Sequence, residues 1–266
     1  MINNRDIKTL IAFNVELNTL VEGKLADDTK AQNSFSLFMS FVSAKAFKTH
    51  EAILLLCRHG YGEDAFMLAR TLFELGVMSS YILQDSSEKR LMRYMEHDWV
   101  TRKEMYDYVR SKDELLCQLN KQIEAQELNQ NVLEEVEREY KRVVAEYGFK
   151  PKTGWSNKSI AQMAEAIGRK DMYATVYRLQ CMVSHTNARS MNEYVKEDPE
   201  GGVIINIGPN EDLTEKTLVV AFDLFRMIIE DADTILKWDQ KDVLESIYKR
   251  YVEEVGNLNI KNKIKN

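Results

Sequence analysis

The sequence predicts an all-α fold, a multi-helix up-and-down bundle with one small β-hairpin inserted. Three observations predict it. The 266 residues include only 3 Pro and 11 Gly, so long helices run without breakers. Apolar residues recur at three- and four-residue spacings through most of the chain. The one stretch that alternates like a strand is short and carries a turn signal. A composition of 44% hydrophobic and 29% charged residues is that of a folded globular chain, not a disordered one.

The elements follow in order. Residues 5–22 form a first helix, with Ile7, Leu10, Ile11, Val15 and Leu17 partly in helical register. A long second helix covers about 28–58 and stops at Arg58-His59-Gly60. The third runs from about Glu63 to Leu83. After Asp64 its only charges are Arg70 and Glu74, which predicts the central, most buried helix. The turn Asp85-Ser86-Ser87-Glu88 caps a fourth helix, about 87–111. A fifth, about 113–147, carries Leu119, Ile123, Val132, Val136, Tyr140 and Val143 among many charges, as half of an antiparallel pair. Gly148–Asn157, with Pro151 and Gly154, is the clearest loop. A short helix at 158–167 ends at Gly168, and the next covers about 170–191. Residues 192–209 hold Asp-Pro-Glu-Gly-Gly between two extended runs, a lone β-hairpin. Helices at about 212–237 and 240–255 close a single all-helical domain, residues 1–256. Residues 257–266 form a flexible Lys/Asn tail.

Charged residues near the N-terminus, and a longest fully apolar run of six residues (Ala52–Cys57), predict no signal peptide and no membrane span, hence a cytoplasmic protein. Cys57, Cys117 and Cys181 lie far apart and read as reduced thiols. No HExxH, Glu-x-x-His, Walker A, GxGxxG or GxSxG motif occurs, and His50, His59, His97 and His185 sit on separate segments. Neither a metal site nor a cofactor is expected.

Two constellations carry chemistry. Arg70 and Glu74 are four apart on an apolar helix, so they share a face. Charges there are paired or open onto a cavity. They form either a buried ion pair or an anion-binding cleft. On the helix 170–191, Met172, Val176, Leu179 and Val183 make an apolar stripe that predicts the core face. Arg178 and His185 line up well away from it, with Asp171 and Arg189 extending the line. Arg binds phosphate bidentately and His moves protons near neutral pH, so the pair suits metal-free RNA cleavage. Seven residues span roughly 10.5 Å of helix, so the side chains must lean together or a second subunit must supply a partner. The alternative is a solvated face with Arg178 paired to Asp171. The charge distribution points the same way. Residues 150–190 hold seven cations against Glu165 and Asp171, a local +5 in a chain of net −6. Trp155 either staples its loop to the bundle or stacks on a base. The hairpin is a lid or a dimer arm.

The segments LLCRHGYGEDAFMLARTLFELGVMSSYIL (55–83), WSNKSIAQMAEAIG (155–168) and YRLQCMVSHTNA (177–188) resemble the domain-of-unknown-function family numbered 5677. That family shows an Arg-x-x-x-Glu helix, a Trp-containing loop and a Tyr-x-x-x-Ser-x-x-x-His helix. Here the positions are Arg70 and Glu74, Trp155, and Tyr177 and His185, with Cys181 where Ser is usual. The last helix is also similar to the HEPN group of helical bundles, many of them metal-independent ribonucleases and toxins of microbial defence. Their motif is Arg-x4–6-His, which Arg178 and His185 meet at its long limit. Leu179 stands where they usually carry a polar residue. This resemblance implies a homodimer with Arg178 and His185 as the catalytic pair acting on RNA. Arg70, Glu74, Tyr177, Arg189 and Trp155 would be substrate-binding residues. The rival expectation is a non-catalytic sensor or interaction module built around Arg70 and Glu74.

Overall fold

A computed structural model of the chain describes residues 4–26, 32–125, 131–150, 154–184, 188, 191–198, 200–209 and 213–264. Helices dominate: α1 (Asn4–Ala26), α2 (Ser34–Arg58), α3 (Gly62–Leu83), α4 (Lys89–Glu96), α5 (Asp98–Arg110), α6 (Asp113–Glu124), α7 (Val132–Tyr147) and α8 (Ile160–Ala166). α9 (Lys170–Met172) leads into a π-helical turn (Tyr173–Tyr177) and α10 (Arg178–Ser184). α11 (Met191–Tyr194), strands β1 (Val195–Asp198) and β2 (Gly202–Ile205), α12 (Thr214–Leu236) and α13 (Lys241–Ile264) complete the chain. The all-α class and the hairpin agree with the sequence. Val195 faces Ile205, and Asp198 faces Gly202, across the antiparallel pair.

Several boundaries differ, each for a local reason. α2 starts at Ser34 because Asn33 and Ser36 form a reciprocal capping box, which satisfies the first free N–H groups. The expected fourth helix is broken at His97 into α4 and α5, and the fifth is two helices, α6 and α7. In both cases the apolar spacing continues across the break, so periodicity alone does not reveal it. Backbone helix continues to Ile264, past the expected end at 255.

The chain divides into two compact units, residues 1–81 with 160–266, and residues 82–159. In the first, α12 is the hub. Leu218, Ala221, Phe222, Phe225, Ile228 and Ala232 are buried along it, and it packs on α1, α2 and α13. α3 runs beside α12 in the same direction. Thr217 donates to the Gly62 carbonyl at 3.1 Å, and Ser80 donates to the Asp231 carboxylate near the other end. Between these points a Cβ on Gly76 would lie 2.4 Å from Met227 Cε and 3.2 Å from Ile228 Cγ1. Glycine is what lets the helices approach. α3 is the most deeply buried helix, as its scarcity of charge predicts, and it shares the core with α12. Among the described residues α3 is the one helix long and apolar enough to cross a membrane by composition, and 56% of that window is buried inside the fold, as in a core helix.

In the second unit α5 packs on α6 and α7. Val100, Val143 and Phe149 form its buried cluster, with Trp99, Tyr140, Val144 and Tyr147 against it. Arg142 on α7 pairs with Glu96, Glu139 and Glu146, a surface network of modest stabilising value.

Candidate functional site

The helix following Gly168 meets α3 through one cluster. Arg70 Nε donates to Glu74 Oε1 at 2.9 Å, and the Tyr177 hydroxyl donates to the same oxygen at 2.7 Å. The Arg70 guanidinium lies 5.3 Å from the centre of the Tyr177 ring. The ring of Tyr177 sits 4.9 Å from Phe73 and stacks on Tyr173 at 5.1 Å. Burial raises the Tyr177 pKa, and the Glu74 carboxylate raises it further, so the phenol stays protonated and donates. Burial works against the Arg70 charge, but hydrogen bonds with Glu74 and Tyr177 overcome it and hold the guanidinium protonated. The side chains of Arg70 and Glu74 keep 25% and 39% of their exposure. The pair is therefore half-buried and reaches solvent, between the two alternatives the sequence left open.

The expected core face of the second helix is displaced. The residues turned inward are Tyr173, Tyr177 and Gln180, with Tyr177 and Gln180 buried, while Met172, Val176, Leu179 and Val183 are only half-buried. The shift is one position along the chain. The inward residues keep the spacings of four and three of the expected stripe across the π turn, so what differs is the face chosen, the one whose tyrosines reach α3. The displacement puts an amide in the interior: among the described residues neither polar side-chain atom of Gln180 has a hydrogen-bond partner.

Arg178, next to buried Tyr177, is exposed, and no ion pair joins it to Asp171. His185 and Arg189 lie outside the described residues. Trp155 belongs to the second unit. Its carbonyl accepts from Arg93 Nε at 2.6 Å, and its ring meets Tyr94 edge-on at 5.5 Å. The Arg93 guanidinium also donates to the Tyr147 carbonyl and covers Phe149 at 4.4 Å. These contacts tie the 148–157 loop to α4.

Other interior polar residues escape the sequence reading. His50 is fully buried, with Nδ1 2.6 Å from Asn18 Oδ1 and Nε2 2.8 Å from Asn14 Oδ1. Its ring stacks on Phe225 at 4.2 Å. Asn14 donates to the Leu10 and Leu218 carbonyls, which orients its amide. On α12, burial raises the pKa of both Asp223 and Asp231. The rule that marks Arg70 and Glu74, charges in an apolar stripe, also marks these two carboxylates. Among the described residues no group of three His, Cys, Asp or Glu side chains is placed to hold a metal ion. Burial pushes the Cys57 thiol up to about 12, which leaves it inert as a nucleophile.

Neither curated proteins nor solved structures yield a match to this chain. A family model of unknown function does match, over residues 37–203, more than half of the chain. That span runs from the first turn of α2 into β2. It includes Arg70, Glu74, Trp155 and Tyr177 and leaves out α12, the hub of the core. The chain therefore belongs to the family of unknown function DUF5677.

Proposed function

We propose that this protein binds RNA and cleaves it without a metal ion, as a HEPN-like homodimeric effector of microbial defence in the cytoplasm. The observation that carries this reading is Arg178: exposed, unpaired with Asp171, and within the +5 segment 150–190. A structural arginine next to a buried tyrosine would be expected to find an acid. Arg178 is instead open to solvent and suited to a phosphate.

In the proposed reaction Arg178 holds the non-bridging oxygens of one phosphodiester. His185 takes the proton of the adjacent ribose 2′-hydroxyl. The 2′-oxygen bonds to phosphorus as the bond to the 5′-oxygen breaks, that oxygen takes a proton from water, His185 returns its proton to solvent, and a 2′,3′-cyclic phosphate remains. Arg178 offsets the charge that develops on the phosphorane.

The test incubates the purified chain with single-stranded RNA in EDTA and scores fragments ending in 2′,3′-cyclic phosphate. Cleavage is expected to fall at least about 100-fold in Arg178→Ala and in His185→Ala, with unchanged melting temperature. RNA binding by Arg178→Ala should weaken and lose roughly one unit of salt slope. Intact RNA and no binding at low salt would reject the proposal.

A second reading has its own observation. Arg70 and Tyr177 both donate to one oxygen of Glu74, and the Arg70 and Glu74 side chains keep part of their exposure, as a ligand-sensing module requires. Under that reading Arg178→Ala is silent, and Arg70→Met abolishes ligand-induced thermal stabilisation.

A further inference from the structure

We propose that the outer edge of β2 is a self-association surface, which takes the β2 strand of a second copy of this chain in antiparallel register. It names a surface for the second copy that the RNA reading calls for, and its test does not depend on cleavage.

The hairpin is a two-stranded sheet, and no described residue pairs with the far side of β2. Asn206 N–H donates to the Tyr194 carbonyl at 2.7 Å, extending the ladder by one pair. In an antiparallel ladder, bonded and non-bonded pairs alternate. Residues 202, 204 and 206 therefore turn their backbone groups toward β1. Val203, Ile205 and Ile207 turn theirs outward. These are also the most exposed apolar side chains of the segment, at 66%, 58% and 94%. They alternate with their neighbours and so share one face of the sheet.

Natural sheet edges of this kind are normally guarded by charge, proline or a bulge. Here the guards sit on the wrong strand for a monomer. Lys196, Glu197 and Asp198 occupy β1, while Gly201–Pro209 contains no charged residue. Pairing two β2 strands resolves this. With Ile205 opposite Ile205 of the second copy, Val203 faces Ile207 and Ile207 faces Val203. No like charges meet, and the apolar side chains cover one another. The resulting order β1–β2–β2–β1 carries the charged strands outermost, so the new edges are guarded. The operation is a two-fold, so it closes at a dimer and does not propagate. Self-complementarity and this division of charge argue for a second copy of this chain over a foreign strand. The strand pair is short and buries well under the ~1,200 Å² of a standard interface, so the contact is a weak one, read at high protein concentration.

Sedimentation velocity from about 10 to about 500 µM tests this. The mass should rise toward a dimer across that range. Ile205→Pro, which removes an outward N–H, should abolish the rise while helical circular dichroism and melting temperature stay unchanged. In a Cys117→Ser background, Ile205→Cys should oxidise to a cross-linked dimer faster than Ile204→Cys. In the proposed register the Ile205 Cα atoms lie ~5.5 Å apart, within disulfide reach. A chain that stays monomeric throughout, or a dimer that survives Ile205→Pro, overturns the proposal. The first result would show that the edge does not pair with a second copy, and the second would move the dimer contact elsewhere.

Discussion

The imidazole of His50 is the most informative single residue for stability. Burial lowers its pKa to about 3. The unfolded chain binds that proton near 6.5. The stabilisation is thus fully present above pH 6.5 and lost as pH falls from 6.5 toward 3. Hydrogen bonding pulls the other way, since amide oxygens face both ring nitrogens and favour a doubly protonated ring. Burial dominates, because an imidazolium stacked on Phe225 with only amides around it is an uncompensated charge. Urea denaturation at pH 7 and pH 5 should show a loss of about 2 kcal/mol, and His50→Gln should remove most of that difference. A stability that rises toward pH 5 would mean that the hydrogen bonds win. The contrast with Arg70 and Glu74 explains what a sequence discloses at this scale. Two charges four apart in an apolar helix are conspicuous, and they pair as helical geometry predicts. A histidine or asparagine fits both surface and interior, so only the packing of α1, α2 and α12 identifies His50, Asn14 and Asn18 as a buried network.

At the scale of elements, the segment 170–184 is where pattern and packing disagree. The apolar stripe Met172, Val176, Leu179 and Val183 is a sound helical signal. It loses to a neighbouring face because Tyr177 finds Glu74, and Tyr173 and Tyr177 pack against Phe73. The aromatic area and a charge-assisted hydrogen bond outweigh the aliphatic stripe. The cost falls on Gln180, whose buried amide has no hydrogen-bond partner among the described residues. Gln180→Met keeps the volume and removes the unmet polar atoms, so thermal denaturation should show a gain of about 1 kcal/mol. A loss would mean that the amide is satisfied by water. The hairpin is the opposite case. Its turn signal and β-branched run lie close together in sequence, so its presence is local information, while its register and its start after α11 come from the structure.

For the whole molecule, the two units differ in their cores. Buried apolar residues in 82–159 are few among those described: Leu91, Val100, Val136, Val143 and Phe149, with Ile82 at its border. The other unit buries long stretches of α2, α3 and α12. Local stability follows buried apolar contact, so the 82–159 unit should open at lower denaturant. Trp99 and Trp155 lie within it, and Trp238 is buried in the other unit. In a Trp238→Phe variant the fluorescence transition should precede the far-ultraviolet circular dichroism transition. Coincident curves would indicate one cooperative fold.

By itself the sequence determined the helical class and the presence of the hairpin, and it placed Arg70 and Glu74 within pairing distance on one helix face. Each follows from residues within a few positions of one another, through propensity, capping, turn chemistry and helical spacing. Tertiary structure decided how α3 and α12 approach, which face of 170–184 turns inward, and that Tyr177 completes the Arg70–Glu74 pair from 103 residues away. Those outcomes depend on competition among distant surfaces for burial, and no local pattern holds that information.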